Sequence, residues 1–209
     1  MSTLSLGQTR PVLADTLVTR SLATDLALVI GGAAVTAGLA QITVPMWPVP
    51  VTGQTLAVLL VGSTLGAVRG ASSLALYLVL GLVGLPVYAP QADGGHSTGL
   101  AAAASPSFGY VVGFVLSAAV VGWLSERSWE RVFLKALATF IGGSLVVFAV
   151  GLPWLAVSLH ALGYPSDVQS TLVGGFYPFL IGGAVKAVIA AVLLPVAWRG
   201  ADALVKRRG

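Results

Sequence analysis

The segment VPMWPVPVTGQT, residues 44–55, decides how this chain is folded. Each of its three prolines removes a backbone donor and fixes φ, so no helix continues through the segment. It interrupts a stretch without charged residues from Leu26 to Val68, far longer than the roughly 20 residues that one membrane-spanning helix needs. The stretch is therefore predicted to form two helices joined by an irregular connection.

The composition of the whole chain agrees with a membrane protein. Of its 209 residues, 9% are charged and 56% are hydrophobic, and the mean hydropathy is +0.94. Three more charge-free stretches cover residues 70–92, 94–125 and 136–166. These values exclude a soluble enzyme, a nucleic-acid-binding protein and a disordered chain. The absence of cysteine excludes disulfides, thiolate chemistry and cysteine metal sites.

The helix-breaking residues between the apolar stretches predict an all-α integral membrane protein with six transmembrane helices and a single membrane domain, residues 1–209. Residues 1–23 form a cytoplasmic segment without the features of a signal peptide, residues 24–199 the six-helix bundle, and residues 200–209 a basic cytoplasmic tail. The predicted spans are about Asp25 to Ile42, Gln54 to Arg69, Gly70 to Tyr88, Phe108 to Ser125, Val132 to Leu159 and Gly174 to Trp198.

The distribution of Lys and Arg supports this arrangement and orients it. The loops 43–53, 89–107 and 160–173 contain no Lys or Arg, so ten of the eleven positive residues fall on one side. Because cytoplasmic loops carry the excess of positive charge, both termini are predicted to be cytoplasmic in a multi-pass protein of the cell membrane.

Lys186 is the eleventh positive residue, and it lies inside the sixth span, about 13 Å along the helix from Tyr177. The apolar spans offer it no Asp or Glu as a partner, which favours an anionic ligand. The alternative is that the lysine extends toward the interface or donates to backbone carbonyls. Gly182 and Gly183 precede it by one turn and leave space beside it.

Polar and aromatic side chains gather at the outer ends of the spans, where they predict a ligand-binding cup that includes Gln54, Tyr88 and Tyr110. Trp47 is expected either to form part of a lid over the cup or to belong to an interfacial aromatic belt. Ala33 and Ala37 belong to a ladder of small residues in the first span, which fits either docking of a partner helix or packing within the bundle.

Four stretches resemble the BioY family of biotin transporters, the substrate-binding (S) components of energy-coupling factor (ECF) transporters. They are VPMWPVPVTGQTLAVLLVGSTLG at 44–66, YLVLGLVGLPVYA at 77–89, SPSFGYVVGF at 105–114 and YPFLIGGAVKAVIAAVL at 177–193. The resemblance implies a six-helix S component that binds biotin from outside, with Lys186 as the carboxylate anchor. It also implies partners, namely an ECF T protein and a pair of ABC-type ATPases.

The chain departs from the family pattern at two places. Gly183 stands where the family usually has an Asp that would meet the ureido group of biotin, and Ser105, Pro106 and Ser107 replace a Gly-Pro-Thr motif. Contacts to the ureido ring must then come from elsewhere, and Asp93, Gln54 and Tyr88 are candidates by location.

Other functions remain open at this point. One alternative is a self-contained secondary transporter or channel for another small organic anion, with Lys186 as its selectivity charge. Another is a purely structural membrane subunit. Enzymatic activity is not expected, because no nucleophile–base pair can be assembled from the spans. No metal site or cofactor is predicted, since the sequence lacks His/Asp/Glu metal spacing, and biotin enters only as a transported ligand.

Overall fold

The computed structural model describes residues 11–91 and 94–208, which are mostly helical. Ten elements follow in chain order, with 3₁₀ turns at Gly99–Ala104 and Trp129–Arg131. They are α1 (Leu13–Leu17), α2 (Leu22–Ala40), β1 (Thr43–Val44), β2 (Val51–Thr52), α3 (Gln54–Leu65), α4 (Ala67–Leu82), α5 (Phe108–Ser125), α6 (Phe133–Ala161), α7 (Val168–Gly175) and α8 (Tyr177–Arg208).

Four of the described helices are long and apolar enough to cross a membrane: α2, α5, α6 and residues Tyr177–Ala203 of α8. The helices α3 and α4 are apolar but shorter. The prolines at 45, 48 and 50 do end the helical structure after α2, as predicted. In their place, β1 and β2 pair as a small antiparallel hairpin, with Thr43 opposite Thr52.

The boundary between the second and third predicted spans was wrong by several residues. The chain turns at Gly66, whose φ of +86° suits glycine, and α4 begins at Ala67. The carboxylate of Glu126, after the end of α5, accepts a hydrogen bond of 2.9 Å from the Ala67 N–H. This contact caps α4 and could not be read from the local sequence.

The end of the chain also differs from the prediction. The sixth predicted span was drawn from Gly174, but Gly174 belongs to the separate helix α7, and α8 begins at Tyr177. Helix α8 continues to Arg208 through the segment predicted as a basic tail. Pro195 lies inside α8 without ending it.

Helix α5 lies at the centre of the bundle and packs against α3, α4 and α6. Close approach depends on small residues: a side chain at Gly122 would overlap the backbone of Gly66. Tyr77, Phe140 and Leu155 are completely buried in the cores that result.

The short helix α1 is held against one end of this bundle by an ionic cluster. Asp15 accepts hydrogen bonds from Arg20 at 2.7 Å and from Arg69 at 2.5 Å. Burial alone would raise the pKa of Asp15, but the bonds from the two arginines outweigh it and hold the pKa at about 2. Leu13 packs with Trp198 of α8, so polar and apolar contacts fix α1 together.

Candidate ligand-binding site

A cavity of about 880 Å³, including its part open to solvent, lies between the β-hairpin, the loop after α4, and helices α3, α5, α6 and α8. Most of its lining is apolar or aromatic. The polar and charged side chains in the lining are Gln54, Thr55, Tyr88, Gln91, Ser97, Ser105, Ser107, Tyr110, Ser144 and Lys186.

Lys186 brings a positive charge into this cavity from the middle of α8. Its ammonium donates hydrogen bonds to the backbone carbonyl of Thr52 and, at 3.1 Å, to the hydroxyl of Thr55. It forms no ion pair with any carboxylate in ranges 11–91 and 94–208. An ammonium has three N–H donors, so these two bonds leave one for a ligand. Both interpretations of this lysine are thus compatible with the geometry: it does bind a backbone carbonyl, and it also faces the cavity.

A buried hydrogen-bond chain positions Gln54 at the start of α3. The side-chain oxygen of Gln54 accepts from the Thr52 hydroxyl at 2.8 Å, and its amide nitrogen donates to the Tyr77 hydroxyl at 2.5 Å. Tyr77 donates in turn to the carbonyl of Val87 at 3.1 Å. The Gln54 amide retains one N–H and part of its acceptor capacity for a ligand.

An aromatic wall forms a further side of the cavity. The rings of Tyr110 and Phe179 stack at 6.1 Å, and Phe148 meets each of them edge on. The Tyr110 hydroxyl donates to the carbonyl of Gly175 at 2.9 Å, which fixes the ring. Such a wall suits a flat or apolar ligand group.

The loop after α4 closes the remaining side. The Tyr88 hydroxyl donates to the carbonyl of Leu78 at 2.6 Å, and a ring nitrogen of His96 lies 2.9 Å from the Tyr88 carbonyl. Gln91 and Ser97 of this loop, together with Ser144 of α6, line the cavity without having been predicted. Proximity to Tyr88 could have suggested the two loop residues, whereas Ser144 stands alone in an apolar helix.

The structure brings together five of the seven predicted ligand-site residues: Lys186, Gln54, Tyr88, Tyr110 and Gly183 all line the cavity. Trp47 lies outside this lining. It is 53% exposed, and its ring contacts that of Tyr164 at 5.4 Å. Asp93 lies outside the described residues. At Gly183 a side chain would meet no neighbour within 4 Å, so the glycine leaves open space where the family's acidic residue would stand.

The two residues predicted for partner docking lie on the inner side of α2. Ala33 is 1% exposed and packs in the core, and Ala37 is half-buried against it. The burial of Ala33 fits the alternative of packing within the bundle, and docking of a partner at Ala33 and Ala37 stays a prediction. Five small residues of α2 are exposed: Ala23, Ala27, Gly31, Ala34 and Gly38.

The side chains that line the cavity provide groups for recognising a ligand. Within ranges 11–91 and 94–208, no group of three or more His, Asp or Glu side chains could hold a metal ion. One cation, amide and hydroxyl groups and an aromatic wall can together bind a small organic anion that carries an apolar ring.

Comparisons with known proteins identify the family. Residues 9–203 match the model of the BioY family. The biotin transporter BioY of Rhizobium etli is 37% identical over 162 residues, which cover 74% of this chain and 81% of that protein. The biotin transporter BioY of Thermotoga maritima is 33% identical over 154 residues, which cover 74% of this chain and 83% of that protein.

The fold also has a counterpart among solved structures. The S-component for biotin from an ECF-type ABC transporter matches with a TM-score of 0.65 at 23% identity, over 87% of this chain and 95% of that one. At this identity the structural match shows the fold alone. Together with the family match, these findings show that the chain belongs to the BioY family.

Proposed function

We propose that this protein is a biotin-binding S component that captures biotin on the outer side of the cell membrane and delivers it inward. The observation that carries the proposal is Lys186, a cation without an acidic partner among the described residues, facing a cavity with an aromatic wall. The relatives in Rhizobium etli and Thermotoga maritima are named biotin transporters. Biotin carries a carboxylate on an apolar chain, and its ring system joins a polar ureido ring to an apolar thioether ring.

The biotin carboxylate binds the free N–H of Lys186, and the ring system packs against Tyr110, Phe148 and Phe179. Gly183 supplies no side chain for the ureido group. The remaining amide N–H and acceptor capacity of Gln54 make it the candidate for that contact, with Tyr88 and Asp93 as further candidates by location.

The membrane topology that we propose has six crossings and cytoplasmic termini. It is supported by the absence of Lys and Arg from the loops 43–53, 89–107 and 160–173. Since the chain has no native cysteine, single cysteines can report the topology. In intact cells a cysteine at Ser97 should react with an impermeant reagent and one at Ser128 should not; the reverse result would overturn the topology.

Uphill transport requires an energy source outside this chain, whose sequence contains no phosphate-binding loop. We therefore propose an ECF T protein and ABC-type ATPases as partners. Three of the exposed small residues of α2, Gly31, Ala34 and Gly38, are the proposed docking face, because they allow a helix to approach closely.

The deciding experiment is equilibrium binding of labelled biotin to the purified full-length protein, with biotin amide and a small aliphatic carboxylate as competitors. Saturable binding, displaced by biotin and less well by the amide, is expected. Failure to bind biotin, with saturable binding of another organic anion, would favour the alternative of a transporter or channel for that anion.

A further inference from the structure

The connection between α5 and α6 has charges of both signs in its sequence, but its surface carries positive charges. With the first residues of α6 it covers residues 126–135, which read ERSWERVFLK, and in which two glutamates nearly balance three basic residues. Ser128 adopts a left-handed φ of 61°, and the 3₁₀ turn Trp129–Arg131 follows it directly. Because a 3₁₀ turn has about three residues per turn, neighbouring side chains in it point in different directions.

This backbone turns both glutamates inward. Glu126 is engaged as the cap on the Ala67 N–H at 2.9 Å. Glu130 is 0% exposed and lies beneath the turn, close to Trp198 and Ser125. Neither acid is therefore available to neutralise the outer surface of the connection.

The three cations of the connection remain on the surface. Arg127, Arg131 and Lys135 are exposed, and none of them forms an ion pair in the described part of the chain. The Arg127 guanidinium lies 3.5 Å from the ring centre of Trp123 and donates to its carbonyl at 2.7 Å. Arg131 lies 3.7 Å from the ring centre of Trp198. Stacking orients both guanidiniums and leaves most of their five N–H donors free.

Exposed apolar side chains surround these cations. Trp123 and Trp129 are partly exposed, as are Val132 and Phe133, and Leu134 is 72% exposed. Indole rings beside basic residues at the end of a membrane helix are typical of the interface between hydrocarbon and headgroups. The apolar side chains thus have a natural environment in the membrane, and the cations lie where phosphates are found.

We propose that residues 127–135, the basic turn, bind the phosphate headgroup of an anionic phospholipid in the cytoplasmic leaflet. The guanidiniums of Arg127 and Arg131 offer paired donors to phosphate oxygens, and Lys135 adds a third charge. The inner location rests on the proposed topology and is independent of biotin binding.

The test compares short-chain phosphatidylglycerol and phosphatidylcholine as ligands of the purified full-length protein, with tryptophan fluorescence as the signal. The variant is Arg127→Gln/Arg131→Gln/Lys135→Gln. A charge-matched control, Arg10→Gln/Lys206→Gln/Arg207→Gln, removes three cations from the same predicted side. At about fivefold per basic residue near a membrane surface, the variant should bind phosphatidylglycerol on the order of 100-fold more weakly. The control should bind it like the wild type, and inorganic phosphate should not compete at equal concentration.

Each other outcome contradicts the proposal. Equal losses in the two triple variants would show an effect of net charge alone. Competition by inorganic phosphate would indicate a site for free anions. Retained phosphatidylglycerol binding with loss of ECF partner co-purification would assign the turn to a protein interface. Biotin binding should be unchanged in both variants, so failure of this inference is distinguishable from failure of the proposed function.

Discussion

At the residue scale, Lys186 shows what sequence can and cannot establish about a site. Its depth in an apolar span predicted a functional charge, and the structure places that charge in a cavity. The sequence could not identify its protein partners, because the Thr52 carbonyl lies 134 residues away in the chain. Every residue has a backbone carbonyl, so residue type does not indicate which carbonyl accepts the hydrogen bond.

The first prediction concerns the charge of this lysine. Lys186→Gln retains hydrogen-bonding ability but removes the charge-assisted bond to the ligand. Losing it should cost roughly 1.5 to 3 kcal/mol, about tenfold to over a hundredfold in biotin affinity. Wild-type protein should prefer biotin to biotin amide in competition binding, and the variant should lose most of that preference. Lys135→Gln, the same change outside the cavity, is the control; an unchanged preference in Lys186→Gln would assign the lysine a structural role.

The second prediction uses the buried carboxyl of Glu130. Burial raises its pKa from 4.5 to about 7, so the folded state holds a proton that the unfolded chain releases. Stability should therefore fall as pH rises from about 4.5 to about 7, by up to about 3 kcal/mol. Thermal unfolding in detergent should show this loss for the wild type and for Asp202→Asn, an exposed control, but not for Glu130→Gln. An identical pH dependence in Glu130→Gln would contradict the assignment.

At the element scale, boundaries set locally were predicted well and boundaries set by tertiary contacts were not. Helix α5 spans Phe108–Ser125 as predicted, since Pro106 precedes it and charged residues follow it. The α3–α4 boundary was predicted after Arg69. In the structure Gly66 makes the turn, and Glu126 caps the helix that follows. Nothing in the local sequence marks that distant carboxylate as a cap.

The third prediction tests this turn. In Gly66→Ala the added Cβ would lie 2.9 Å from a Glu126 carboxylate oxygen, in a left-handed conformation that alanine disfavours. The variant should lose about 1 to 3 kcal/mol of stability. Gly142→Ala is the matched control, because its Cβ would meet nothing within 4 Å. Thermal unfolding in detergent measures both, and equal stabilities would show that the turn tolerates a side chain.

At the scale of the whole molecule, the sequence predicted that polar residues would meet at one end of the bundle, with Gln54, Tyr88 and Tyr110 among them. These three meet there because the start of α3, the loop after α4 and the start of α5 share that end. Ser144 was missed because a lone serine in an apolar helix shows no periodic pattern. Trp47 was assigned to the site, but its ring contacts Tyr164. The sequence could not predict this, because the direction of the side chain depends on tertiary structure.

The fourth prediction concerns assembly with partners. Ala34→Trp places a bulky ring on the outward face of α2, where it should separate the proposed partner helix and reduce co-purification with the T protein and ATPases. Biotin binding should be unaffected, because Ala34 does not line the cavity. Leu116→Trp, the same bulky residue at an exposed position of α5, is the control. Equal assembly by the two variants would remove α2 as the docking face.

The short helix α3 also has a consequence for how the protein is made. Its 12 residues extend about 18 Å, well short of the roughly 30 Å hydrocarbon layer. If α3 left the translocon without its neighbouring helices, it would expose unpaired backbone groups to lipid. The next helix, α4, is capped at its first residue by Glu126, which is synthesised only after α5. We therefore expect α3, α4 and α5 to enter the bilayer as one unit, and ribosome-bound chains that end before Glu126 to remain extractable from it.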